Sequence, residues 1–148
     1  MRIAMSALAL ATSCAIVAAA GVPAAGAATP ESVAGTRWQL ARIIGVDDQL
    51  TLPDDGSKYT IAFDANGRAE LRVDCNRASA TWVSPGPGRL QFGPMAATRA
   101  MCAGTSLSTR MQRELAAVRT YSIREGHLFL ASPVETSAIW EFEAVHDP

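Results

Sequence analysis

The chain has 148 residues, 49 % hydrophobic and 18 % charged, with 13 basic and 14 acidic side chains and a formal charge of −1. That balance gives no basic excess for binding nucleic acid, and the length suits one ordinary domain with a genuine core. The three cysteines are an odd number, which needs an explanation in any chain that forms disulfides.

Arg2 is the only charge among the first thirty residues. An apolar run follows from Ile3 to Val22, Pro23 breaks it, and Ala25-Gly26-Ala27 supplies small residues at a cleavage site. This pattern predicts a secretory signal peptide over residues 1–27, cut before Ala28, and a short mature tail over 28–32. Two anchored readings compete. An uncleaved span needs ~20 apolar residues, which this run approaches, but no positively charged stop-transfer flank follows. A lipoprotein attached at Cys14 would need a better lipobox, since Leu10 sits one place too early, and the residues after Cys14 stay apolar. Cleavage would leave 121 residues, a formal charge of −2 and two cysteines, Cys75 and Cys102. No second apolar run suggests a transmembrane segment in the mature chain. In an oxidising compartment the two cysteines should pair, closing a loop worth ~3–4 kcal/mol in the chain-entropy account. Two buried free thiols are the alternative, and a metal site lacks nearby His or Cys partners.

Residues 36–44 read as a first strand, with Trp38 and Leu40 on one face and Arg37 and Gln39 on the other. Residues 45–57 are polar, carry Pro53 and Asp54-Asp55-Gly56, and read as a loop. Tyr59, Ile61 and Phe63 alternate with Thr60 and Ala62 in a second strand. Asn66-Gly67 marks a hairpin turn. Residues 68–74 return as a third strand, with Ala69, Leu71 and Val73 inward. Short strands are expected at 80–83 and 89–92, joined by the turn Ser84-Pro85-Gly86-Pro87-Gly88. The period then changes. Leu107, Met111, Leu115 and Val118 form one stripe of an amphipathic helix, with Arg110, Arg113 and Glu114 outside it and Thr105 or Ser106 as its N-cap. Residues 120–124 and 127–131 form a second hairpin about Glu125-Gly126. Residues 137–143 close the domain, with Ala138, Trp140 and Phe142 on one face. About eight short strands and one helix predict a mainly β (α+β) fold: a partial barrel or strongly curled antiparallel sheet capped by the helix.

The chemistry-bearing residues are sparse. His127 follows a turn and His146 lies in the tail over 145–148; neither joins a catalytic pattern. Asp47-Asp48 and Asp54-Asp55 lack the periodicity and glutamate of a calcium loop. No catalytic, cofactor or metal site is expected. Asn76 and Arg77, beside Cys75, and Thr98 and Arg99, before Cys102, are a candidate interaction surface. The competing reading has Asn76 bonding the local backbone as turn asparagines do, and Arg99 pairing with a carboxylate such as Glu114. Trp38, Trp82, Trp140, Phe92 and Phe142 could line a ligand cavity, although core packing is the ordinary role of aromatics at strand spacing.

Several motifs fall in one order. Gly35-Thr36-Arg37-Trp38-Gln39-Leu40, Cys75-Asn76-Arg77 and residues 90–102 (LQFGPMAATRAMC) resemble the conserved stretches of the META domain family, the type found in the bacterial heat-shock protein HslJ. Met111, Glu114-Leu115, Tyr121 and Leu128-Phe129-Leu130 follow its helix and hairpin. Asp74 stands where the family has Gly before the Cys, and Ala80 and Trp82 replace a later Gly and Tyr. The resemblance covers residues 33–143 and frames a domain at 33–144. It implies a barrel-like domain in exported or envelope proteins linked to heat shock, drug resistance or motility, and no known catalytic residue. The resulting expectation is a monomeric, non-enzymatic exported protein with an envelope interaction or stress-related role. Its partner is then an unknown envelope protein. A carrier of a small apolar ligand and a secreted protease inhibitor are the alternatives.

Overall fold

Alternation of apolar and polar residues at period two produces most of this molecule. A computed structural model describes residues 32–133 and 137–145. The expected leader, cleavage site, Cys14 and His146 lie outside the described residues. The strands are β1 (Arg37–Ile44), β2 (Leu50–Thr51), β3 (Tyr59–Phe63), β4 (Arg68–Val73), β5 (Asn76–Val83), β6 (Gln91–Phe92), β7 (Ala96–Ala97), β8 (Thr120–Arg124), β9 (His127–Ala131) and β10 (Ile139–Ala144). The helix α1 (Ser108–Ala116) separates β7 from β8.

All pairings are antiparallel. Eight strands follow the order β6-β5-β4-β3-β1-β10-β9-β8, with β2 beside β1 and β7 beside β5. The path curls until its ends meet. Leu90 N–H donates to the Arg119 carbonyl (3.1 Å), and Tyr121 N–H donates to the Gly88 carbonyl (2.9 Å). These two bonds flank a bridge between Arg89 and Thr120 and nearly complete a barrel.

The inward residues of the strands fill the interior. Trp38, Leu40, Ile61, Phe63, Leu71, Leu128, Trp140 and Phe142 are all buried in one core. Helix α1 sits at the barrel end nearest Tyr59, whose hydroxyl accepts from Leu107 N–H (3.1 Å), and inserts Met111 and Leu115. Val118, just past the helix, completes the stripe. The aromatics at strand spacing pack in and against the core, the role expected for them over a cavity lining. Phe63 meets Trp82 edge-on at 5.6 Å and stacks on Phe92 at 5.9 Å. Trp140 donates its indole N–H to Glu114 (2.9 Å).

The structure corrects several boundaries. The loop expected at 45–57 contains β2 and a 3-10 turn at Gly56–Lys58. The strand expected at 80–83 starts at Asn76, because Asp74 and Cys75 make a two-residue turn that pairs Val73 with Asn76. Asp74 holds φ +63° there, the left-handed conformation that glycine adopts freely. Strand β7 was not anticipated. Neither Thr105 nor Ser106 is the N-cap: Leu107 occupies that place without a side-chain bond, while Ser106 Oγ accepts from Ser108 N–H (3.2 Å) one step earlier.

Candidate functional site

The β4–β5 turn brings Cys75 to Cys102. The two sulfurs stand at disulfide distance, with their α-carbons 5.6 Å apart. Next to them Asn76 is 4 % exposed and points inward. Its Nδ2 donates to the Ala100 carbonyl (2.9 Å), and its Oδ1 accepts from Ala100 N–H (2.7 Å) and the Thr98 hydroxyl (2.9 Å). The same Nδ2 lies 3.2 Å from Cys102 Sγ and 3.4 Å from Ser108 Oγ. Asn76 thus bonds backbone groups more than twenty positions away and not the backbone of the local turn. Bridge and amide together hold the segment before α1 against the start of β5.

Arg77 has the opposite fate. Strand alternation sends it to the outer face, where its backbone N–H donates to Thr98 Oγ1 (3.0 Å) and Thr98 N–H donates to the Arg77 carbonyl (3.0 Å). Both residues border an open groove of about 840 Å³ on the outer face of β1, β3, β4 and β5, walled by β7. The register arranges its floor in two rows. One runs Gln39, Thr60, Arg72, Arg77, and ends at Thr98. The other runs Arg37, Ala62, Glu70, Ser79, Ala96. The short side chains of Ala62, Ser79 and Ala96 in the second row lie beside the longer Arg72 and Arg77 of the first.

Arg72 and Arg77 face each other directly across β4 and β5. Like charges in that relation repel. Arg72 Nε approaches the Asp74 carbonyl at 3.4 Å. The nearest acid on the face, Glu70, lies 3.6 Å from Arg68. Arg37 and Arg72 were not singled out from the sequence. Their signal was there in the alternation of β4, but it needed the two-residue turn at Asp74-Cys75 to set Arg72 opposite Arg77.

The other candidates lie elsewhere. Arg99 is exposed and outside the groove, and it does not pair with Glu114. Glu114 instead meets Arg110 (2.9 Å), one helical turn before it at the spacing that joins neighbours on a helix, approaches the adjacent Arg113 at 3.6 Å, and accepts from Trp140. His127 places Nδ1 3.0 Å from Glu141 Oε1, and Arg42 Nε donates to Oε2 of the same carboxylate (2.6 Å). Glu141 is 3 % exposed although it points to the outer face. A second cavity of about 860 Å³ runs along Gly35–Trp38, Asp64 and the Ile123–Gly126 corner. Both cavities open on the outer surface, the second reaching the core residues Trp38 and Phe63, while Trp140 lies buried. Among the described residues no three His, Cys, Asp or Glu side chains gather as a metal site, and no helix is long and apolar enough to cross a membrane.

A nearly closed antiparallel barrel, plugged by one helix and stapled between a hairpin turn and the helix approach, defines a small mainly-β domain. The chain belongs to the META domain family, whose profile matches residues 31–144. No curated protein matches it. Among solved structures it is similar to an NMR structure of a protein from Burkholderia xenovorans, at 16 % identity and TM-score 0.66, over 85 % of this chain and 98 % of that one. It is also similar to a crystal structure of a DUF4847 family protein from Bacteroides vulgatus, at 14 % identity and TM-score 0.55, over 78 % and 96 %. At these identities the likeness concerns the fold alone.

Proposed function

We propose that this chain is an exported, non-enzymatic META-domain protein that acts by binding an envelope partner, and that the outer groove is its recognition face. The observation that carries the reading is the groove floor. Arg72 and Arg77 stand opposed there, on a rigid sheet and beside a segment fixed by Asn76 and the disulfide. Sites held on strands of a scaffold are more precise than sites on loops. Export is supported by the leader pattern and by cysteines at disulfide distance, which belong in oxidising surroundings.

Export is tested by expressing the full chain in a bacterium and weighing the product. The expected species starts at Ala28, carries two hydrogens fewer than the dithiol, and takes up no alkylating agent without reductant. A cytoplasmic product with an intact leader would overturn export, and a lipid-modified product starting at Cys14 would establish anchoring instead. The recognition face is tested with a photo-crosslinking side chain at Ser79. A defined adduct whose yield drops with Arg77→Glu is expected; adducts indifferent to that substitution would sink the assignment.

A further inference from the structure

The groove combines three properties that point to one ligand chemistry. Its floor sets two guanidinium groups in register across adjacent strands. In that row their immediate neighbours Thr60 and Thr98 are uncharged, and the acid that continues it, Glu143, lies beyond Gln39, from which it accepts a hydrogen bond (2.6 Å). The hydroxyls of Thr60 and Ser79 line the same space and have no hydrogen-bond partner among the described residues. The volume of about 840 Å³ lies in the range of small-molecule sites, far beyond what one ion fills.

Like charges placed directly opposite on a sheet cost stability, and an anion between them converts the repulsion into two attractive contacts. Guanidinium groups are suited to this, because their planar fork matches the oxygens of carboxylate and phosphate. The charge is also local. The whole chain carries −1, yet the groove sets the facing pair Arg72 and Arg77 near one lining acid, Glu70, which lies 3.6 Å from Arg68. We infer that the groove binds a small molecule through an oxyanion, a carboxylate or phosphate, seated between Arg72 and Arg77. The rest of that molecule lies over the short side chains of Ala62 and Ala96. This rests on the reading of the groove as the recognition face, and adds to it a chemical class.

The test uses the disulfide-bonded protein with inorganic phosphate and, separately, citrate as probes, followed by NMR and by thermal unfolding at low ionic strength. Saturable shifts are expected at Arg72, Arg77 and Ser79, with a rise in Tm as the probe is added. A response to phosphate alone identifies a phosphate ligand, and a response to citrate alone a carboxylate. Arg72→Gln and Arg77→Gln should each weaken binding by about tenfold or more, as expected for losing a charge-assisted hydrogen bond. Arg99→Gln, outside the groove, should leave binding unchanged. Without probe, Arg77→Gln should unfold at the same or a higher temperature, because it removes a repulsion; a purely structural arginine would show a fall. Saturable binding that survives both glutamine substitutions would overturn the inference, and so would the absence of groove shifts with either probe. If the Ser79 crosslink still forms in that case, the recognition face stands and only the oxyanion class is lost.

Discussion

Asn76 uses its side-chain amide as a strand uses a peptide group, giving a donor and an acceptor to the backbone of Ala100. Removing it strands those partners and opens space beside the bridge. Asn76→Ala should therefore cost about 2–3 kcal/mol, read from denaturant midpoints with the disulfide intact, since a net ~1 kcal/mol is typical per hydrogen bond. Asn76→Asp should be worse, because it replaces a donor facing the Ala100 carbonyl with a buried negative oxygen. Gly93 is another residue with no freedom: a Cβ there would collide with the Thr81 hydroxyl. Gly93→Ala should lower Tm, and adding Thr81→Ala should restore part of the loss if the collision is the cause. At the 3-10 turn, hydrogen bonding to Lys58 holds the Asp54 carboxyl below its ordinary range, and the Ser57 hydroxyl and N–H do the same for Asp55. Asp54 in turn raises Lys58. The carboxylates stabilise the turn above their unfolded values of ~4, and that contribution fades as pH falls through their lower folded values. Lys58 contributes below its unfolded value of ~10.4, and its share is lost as pH rises through the higher folded value. NMR shifts of Gly56 and Ser57 against pH should show both limbs; flat shifts in acid would refute the carboxylate part.

At the scale of elements, what the sequence discloses depends on length and contrast. Strands β1, β3, β4, β8, β9 and β10 each alternate over five or more residues, and their inward faces are legible from that pattern alone. So is the helix stripe of Met111 and Leu115. Strands β2 and β7 have two residues each, too few for any period to show. The first half of β5 reads as polar, because Asn76 points inward as a buried amide, not an apolar group. Missing that half also hid the groove floor, whose arginines come together only through the register. On β10, Glu141 alternates outward as expected and yet is buried. The register shift between Leu40 and Arg42 turns Arg42 onto its face, where the guanidinium meets the carboxylate. Glu141→Gln should cost about 1–2 kcal/mol, a charged hydrogen bond discounted because Arg42 is half exposed. Equal midpoints for the two proteins would show the pair contributes nothing.

For the molecule as a whole, eight strands in one antiparallel path, with β2 and β7 beside it, pair mostly between neighbours in sequence, while β1 pairing with β10 joins the two ends of the domain. The disulfide closes a separation of 27 residues. Reduction should lower stability by about 3 kcal/mol on the loop-entropy scale, measured by unfolding with and without reductant. That loop encloses β5, β6 and β7, and with them Gly88–Leu90, one side of the barrel's closing seam.

The seam rests on two backbone hydrogen bonds, where pairs such as β3–β4, β4–β5 and β8–β9 have longer ladders. Mechanically it is a clasp: the barrel is fastened along one short line, and half of that clasp hangs on a tether whose length is set by Cys75 and Cys102. Amide hydrogens at Leu90 and Tyr121 should exchange with solvent faster than those of β1 and β10, and faster still once the bridge is reduced. The wall of the barrel would then loosen in reducing surroundings before the core does.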